Sequence, residues 1–112
     1  MTGFQESARH AYVAAVLRAY RATPGVIGRI RQADRQLAGL LFDRGIPFYA
    51  VANALILAAA RRVRHNAFTA PLPPVKSLHY FVPVIREVLQ RPPGTHEIAE
   101  LRQTLRLLDP LP

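Results

Sequence analysis

A chain of 112 residues, half of them hydrophobic and none of them cysteine, is predicted to form one soluble domain with a single core and no disulfide or thiolate metal site. Its longest apolar run, from Ala50 to Ala60, is shorter than a membrane-spanning helix requires and is followed at once by Arg61 and Arg62. The first ten residues lack the basic-then-apolar order of a secretory signal, so we expect a protein of the bacterial cytoplasm.

The charge balance is the most informative property of the composition. Fourteen arginines and one lysine stand against seven acidic residues, which gives a net charge of +8. A surplus of this size attracts a polyanion such as nucleic acid. The alternative is a basic surface that serves only solubility, with arginine preferred over lysine because of a GC-rich genome.

Apolar residues at steps of three or four predict a first helix with a stripe from Phe4 to Ala19. The TPG sequence at residues 23 to 25 is expected to end that helix. Residues 26 to 30, VIGRI, contain Gly28, which weakens a helix, and they predict a turn or a loosely formed helical start.

The second helix is predicted to end at Gly45, because glycine readily adopts the left-handed conformation that closes a helix. Asp34 is placed on its polar, solvent-facing side. Pro47 follows in the first turn of the next helix, where its missing N–H costs nothing. The predicted apolar face of the second helix is Ala33, Leu37, Leu40 and Leu41.

The third helix is predicted from about Pro47 to Arg64 and is apolar on nearly all sides. Its many alanines allow neighbouring helices to approach closely, which places it at the centre of a bundle. Residues 65 to 76, HNAFTAPLPPVK, predict a stiff extended strap because proline fixes the backbone. Phe68 and Leu72 are expected to pack this strap against the bundle.

Pro83 interrupts an apolar helical pattern that runs from Ser77 to Leu89. A proline in a helix interior costs about 3 kcal/mol, so either the helix begins near residues 80 to 82 or residues 77 to 82 form a separate turn that bends at the proline. We prefer the second arrangement, with Ser77 as the cap.

A last helix is predicted after the RPPG sequence at residues 91 to 94, with Thr95 as its cap. Its apolar stripe is Ile98, Leu101, Leu105 and Leu108. The expected fold is therefore all-α: a single compact bundle of four to five helices, formed by residues 1 to 112, with a proline-rich strap before the fourth helix.

Patterns typical of catalysis or metal binding are lacking in the sequence. The acidic residues are scattered, the four histidines lie in different segments without a repeated ligand spacing, and no glycine-rich phosphate loop occurs. We therefore predict that the protein is not an enzyme and has no cofactor and no metal site.

The basic clusters indicate a binding role. One cluster ends the third helix, where the helix dipole also favours cations, and a second precedes and begins the second helix. No helix carries the set of side chains that reads a major groove, so binding is expected to depend on phosphate contacts from arginines gathered on one side of the bundle. The predicted nucleic-acid-binding residues are Arg61, Arg62, Arg64, His65, Lys76, Arg29, Arg31, Arg35 and Tyr80.

Residues 34 to 89 resemble the C-terminal module of DnaD-like replication and primosome proteins. A helix, a glycine-proline corner and an alanine-rich helix precede an S-L-x-Y-F segment that starts another helix. The family's Y-x-x-x-I-x-x-x-W pattern maps onto Tyr80, Val84 and Val88, with Val88 replacing the tryptophan and Pro83 lying inside the pattern. The resemblance implies contact with DNA, including single-stranded DNA, near this motif and in the chain beyond it.

The preferred function is that of a small basic nucleic-acid-binding protein, an accessory of replication or of a mobile element, and we expect its nucleic acid to be DNA rather than RNA. The alternative is a helical protein-interaction module or a small subunit of a larger nucleoprotein complex, acting as a homodimer or with a partner protein. No membrane partner is expected.

Overall fold

The computed structural model describes residues 2 to 108, which form five α-helices and one short 3₁₀ helix. The centrally placed α3 packs against α1, α4 and α5, while α1 also packs against α2. The prediction of an all-α bundle with the third helix at its centre is confirmed. No helix in the described range is both long and apolar enough to cross a membrane. The helices are α1 Thr2–Arg21, α2 Gln32–Asp43, α3 Phe48–Phe68, the 3₁₀ helix Leu78–Phe81, α4 Val82–Gln90 and α5 Thr95–Leu108.

The corner between α2 and α3 is fixed by polar contacts from α1. Arg9 donates from Nε to Asp43 Oδ1 at 3.0 Å and from Nη2 to Asp43 Oδ2 at 3.2 Å, which ties α1 to the end of α2. The Tyr12 hydroxyl donates to the carbonyl of Ile46 at 2.8 Å, and burial raises the pKa of Tyr12 to about 12. Gly45 has a φ of +72° and ends α2 as predicted, with Phe48 opening α3 directly after Pro47.

The buried face of α2 differs from the predicted one. Ala33 and Leu40 are exposed, so placing them on the apolar face was wrong. Asp34, predicted to face solvent, is only 1% exposed. The helix is rotated about its axis so that a polar residue faces inward. The residues that α2 buries are Asp34, Leu37, Ala38, Gly39 and Leu41.

Asp34 is buried because its carboxylate holds together two elements that are distant in sequence. Its Oδ2 accepts a hydrogen bond from the backbone N–H of Arg31 at 2.9 Å, and its Oδ1 accepts one from the backbone N–H of Leu78, also at 2.9 Å. Hydrogen bonds to an ionised acceptor are worth roughly twice those between neutral groups, and a buried charge requires such partners. The start of α2 and the start of the 3₁₀ helix are thereby fixed on one side chain.

Residues 26 to 30 are not a helical start, as one of the two expectations had it. Val26 and Ile27 form a short bridged segment, and the chain bends at Gly28. Val26 pairs with Val75 in a parallel bridge, in which Val75 N–H donates to the carbonyl of Gly25 at 2.7 Å and Ile27 N–H donates to the carbonyl of Val75 at 2.9 Å. Gly25 and Gly28 both have positive φ, which lets the chain turn at each end of this segment. We call residues 25 to 28 and 73 to 76 the paired loops.

The strap before the 3₁₀ helix is shorter than predicted because α3 continues to Phe68, four residues past the predicted end at Arg64. As the last residue of α3, Phe68 points outward and is 79% exposed. The prediction that it packs the strap against the bundle was therefore wrong. Val75 is buried instead, and Leu72 is half-buried. The strap is held mainly by its last residues, next to the 3₁₀ helix.

Pro83 lies in the first turn of α4, directly after the separate 3₁₀ helix. The structure combines the two expected arrangements: a separate helical turn precedes the proline, as preferred, and α4 begins at Val82, within the range that the alternative gave for the helix start. Ser77 caps the 3₁₀ helix by accepting a hydrogen bond from the backbone N–H of His79 at 3.1 Å. The bend lets Leu78 and Phe81 fill the core from one direction and Ile85 from another, and all of these side chains are buried.

α5 begins at Thr95, so this residue is the first of the helix and not the cap before it. Ile98, Leu101 and Leu105 of its predicted stripe are half-buried. The side chain of Leu108 lies outside those described. α5 therefore packs on α3 at the surface of the bundle and contributes little to the buried core.

We expect Asp34→Asn to lower the free energy of unfolding by about 3 kcal/mol. The amide keeps one acceptor oxygen but turns a donor toward one of the two backbone N–H groups, which is then left buried without a partner. Urea unfolding followed by circular dichroism measures the change. Asp43→Asn is the matched control, because that carboxylate is half-exposed and its loss should cost much less. Equal losses for both variants would show that Asp34 does not hold the fold.

Candidate nucleic-acid interface

An open groove of about 350 Å³ lies where the end of α3 meets the strap and the start of α4. It combines cationic, aromatic and apolar side chains, and it brings together four of the predicted binding residues. We call it the Tyr80 groove. Its lining is Ala58, Arg61, Arg62, His65, Leu72, Tyr80 and Val84.

Arg62 is a structural residue of this groove and does not reach out to solvent. Its side chain is buried, with the residue only 7% exposed. Nη1 donates to the Tyr80 hydroxyl at 3.0 Å, Nη2 donates to the carbonyl of Pro73, and the guanidinium carbon lies 5.3 Å from the centre of the Tyr80 ring. The expectation that Arg62 contacts phosphates does not fit this burial, since Nη1 and Nη2 each already donate to a group of the protein.

Arg62 also explains the glycine at position 25. A Cβ at Gly25 would lie 3.2 Å from Arg62 Nε, and the φ of +92° is one that other residues rarely adopt. Nε is buried without a hydrogen-bond partner among the described residues. The guanidinium therefore lies directly beneath the paired loops and links them to Tyr80.

Arg61 is exposed but already paired with α4. Nη1 donates to Glu87 Oε1 at 3.0 Å, and Nη2 donates to Oε2 of the same carboxylate. This hydrogen-bonded contact is the main reason that the pKa of Glu87 is lowered and the pKa of Arg61 is raised. Arg61 can reach a ligand only alongside, or in exchange for, its carboxylate partner.

Tyr80 is held in a fixed orientation. The centre of its ring lies 5.1 Å from that of Phe81 in an edge-to-face arrangement, and its hydroxyl accepts the hydrogen bond from Arg62. The residue is still 45% exposed. A rigid, partly exposed aromatic ring is suited to stacking against a planar ligand.

The paired loops bring together two segments that are distant in the sequence and that each carry cations. Lys76 directly follows Val75, which is bonded to Gly25 and Ile27, and Arg29 lies two residues beyond Ile27. The backbones of Arg31 and Leu78 are fixed on the same Asp34 carboxylate. Arg29, Arg31 and Lys76 are all exposed and form no salt bridge with a described residue; we call them the paired-loop cations.

The remaining predicted residues lie apart from this group. Arg64 and His65 are exposed on the last turns of α3, and His65 lines the Tyr80 groove. Arg35 lines a different groove, together with Arg18 and Arg21 of α1. Arg61 and Arg62 of the first predicted cluster thus line the Tyr80 groove, whereas Arg35 of the second lines a different groove.

Sequence reasoning missed the proximity of Arg18 and Arg21 to Arg35. The two α1 residues are three apart and therefore lie on one side of their helix, which is a signal that the sequence does carry. Their approach to α2 depends on how the helices pack, for which the spacing gives no information.

Within residues 2 to 108, no group of three or more histidine or acidic side chains is placed to hold a metal ion. Comparison of the chain with protein-family models, with curated proteins and with solved structures finds no match. The resemblance to DnaD-like proteins therefore stays a prediction that depends on the sequence motif alone.

We expect Arg62→Ala to release the paired loops. Loss of two hydrogen bonds and of the contact with Tyr80 should accelerate amide hydrogen exchange at Ile27 and Val75 by tenfold or more, on the order of the 1.5–3 kcal/mol of a charged hydrogen bond. Hydrogen exchange measured by NMR tests this expectation. Arg64→Ala removes an exposed arginine from the same helix and should leave both amides unchanged; equal acceleration in the two variants would contradict the structural role of Arg62.

Proposed function

We propose that this protein binds nucleic acid through the phosphate backbone. The observation that carries the proposal is that backbone contacts bring together the segments that carry Arg29, Arg31 and Lys76, and that none of these cations forms a salt bridge with a described residue. Uncompensated cations at one place attract a polyanion and release its counterions on binding. A basic surface that serves only solubility does not require these segments to be brought together.

The Tyr80 groove supplies a second part of the proposed surface. His65 and the ion-paired Arg61 line it, and the ring of Tyr80 is partly exposed. A base from a single strand would stack on this ring, while the paired-loop cations hold neighbouring phosphates. Arg62 has a positioning role in this surface, because it fixes Tyr80 and the strap relative to each other.

The choice of DNA and of a replication or mobile-element setting depends on the DnaD-like resemblance, which assigns DNA contact to the neighbourhood of Tyr80. The physical features themselves favour a single strand. A duplex offers no unstacked base to Tyr80.

We expect Arg29→Gln, Arg31→Gln and Lys76→Gln, combined in one variant, to weaken single-strand binding and its salt dependence. If each cation neutralises one phosphate, the slope of log affinity against log salt should fall in magnitude by about 2. Fluorescence anisotropy with labelled single- and double-stranded DNA between 50 and 200 mM salt measures both quantities.

The matched control for this experiment combines Arg44→Gln, Arg86→Gln and Arg106→Gln. It removes the same charge from exposed positions on other elements, so it should change the slope much less. Equal effects of the two variants would mean that only net charge matters. Absence of wild-type binding at 50 mM salt would overturn the proposed function.

Exposed apolar side chains favour a second candidate, a module that assembles with another chain. Phe4 is 78% exposed and Phe68 is 79% exposed. The described residues of α1 before Tyr12 are all exposed, so the apolar stripe of this helix continues beyond the bundle without a partner. A large aromatic side chain in water loses the free energy that burial would provide.

The second candidate predicts a stable oligomer at micromolar concentration. Light scattering coupled to size exclusion should then give a multiple of the monomer mass, and Phe4→Ser with Phe68→Ser should return the monomer. Gln5→Ser and Asn66→Ser serve as the matched control at neighbouring exposed positions. A monodisperse monomer that binds DNA would favour the first function.

A further inference from the structure

A second basic groove, of about 570 Å³, lies between the end of α1 and the start of α2. Three arginines line it: Arg18 and Arg21 from α1 and Arg35 from α2. Leu17 and Ile30 give it an apolar floor. We call it the Arg35 groove, and it lies apart from the Tyr80 groove, with which it shares no lining residue.

The helix dipoles account for only part of this arrangement. Arg18 and Arg21 lie in the last turn of α1, where the negative end of the helix favours cations. Arg35 lies near the N-terminus of α2, where the dipole disfavours a cation. None of these arginines forms a salt bridge with a described residue. Neither the dipole of α2 nor a salt bridge accounts for the third arginine on the same groove as the other two.

We infer that the Arg35 groove binds one phosphate group of a nucleic-acid strand, an inference that depends on the proposed function and extends its site. Guanidinium groups bind phosphate oxygens with paired hydrogen bonds, and three of them around one groove match a single phosphate group. The sugar or base next to that phosphate packs against Leu17 and Ile30. A free inorganic anion would not need this apolar floor.

The position of Ile30 connects this groove to the rest of the proposed surface. Ile30 lines the groove, and its neighbours in sequence are the paired-loop cations Arg29 and Arg31. A strand that lies on the paired loops therefore passes directly into the Arg35 groove. The binding surface extends across both the α1–α2 side of the protein and the Tyr80 side.

The test compares Arg18→Gln/Arg21→Gln with the matched control Arg44→Gln/Arg86→Gln, which removes the same charge at other exposed positions. Neither variant changes a residue of the paired loops or of the Tyr80 groove. Anisotropy with labelled single-stranded DNA should show about tenfold weaker binding for the first variant, as expected for loss of charge-assisted hydrogen bonds, and a change below about threefold for the second. Circular dichroism confirms that both variants are folded.

NMR of the arginine side-chain Nε–Hε groups gives a second readout on the wild type. Added single-stranded oligonucleotide should shift the signals of Arg18, Arg21 and Arg35 while leaving that of Arg44 in place. Vesicles containing an anionic phospholipid distinguish the other source of phosphate groups. Wild-type binding to these vesicles with no shift on adding the oligonucleotide would overturn the inference.

The possible failures are distinguishable. If wild type binds DNA and both double variants weaken it equally, the Arg35 groove has no specific role, while the proposed function stands. If wild type does not bind DNA at 50 mM salt, the proposed function fails and the inference fails with it.

Discussion

The carboxylate of Asp34 is the contact on which the arrangement of this protein depends. It accepts one hydrogen bond from the backbone N–H of Arg31 and another from the backbone N–H of Leu78, which lies 44 residues away in the sequence. One bond fixes how α2 begins, and the other fixes how the 3₁₀ helix begins. Since the 3₁₀ helix leads directly into α4, the same carboxylate sets the position at which Pro83 is tolerated, in the first turn.

Arg62 complements Asp34 on the other side of the strap. Both are buried charged side chains that bind backbone groups of irregular segments, through the N–H groups of Arg31 and Leu78 in one case and the carbonyl of Pro73 in the other. Residues 2 to 108 form no β-sheet, so the backbone of their loops must be satisfied in some other way, because buried polar groups without partners are costly. The ionised side chains of Asp34 and Arg62 bind backbone groups of these loops. By fixing the loops, they also position the exposed cations next to them.

The helical architecture was predictable because it depends on local signals. Apolar periodicity, Gly45 and the proline pattern gave the helices, their order and the bend at Pro83. The prediction for α2 assumed that its buried face is a stripe of apolar residues. Asp34 faces inward and does not fit such a stripe, so the prediction did not place it on the buried face. The spacing of Asp34, Leu37, Ala38 and Leu41 is nonetheless helical, so a stripe that admits one polar residue near a helix start would have found it.

The candidate site was less predictable for a related reason. Adjacent cations in the sequence suggested one cluster at the end of α3, but helical rotation separates them: Arg62 faces inward, whereas Arg61 faces α4 and binds Glu87. The net charge gives only the excess of cationic over acidic residues. The tertiary structure is needed to identify which cations are exposed and unpaired and can therefore contact a ligand. The paired-loop cations come from segments that packing brings together, and Arg35, a cation near a helix N-terminus, lies where the helix dipole does not favour it.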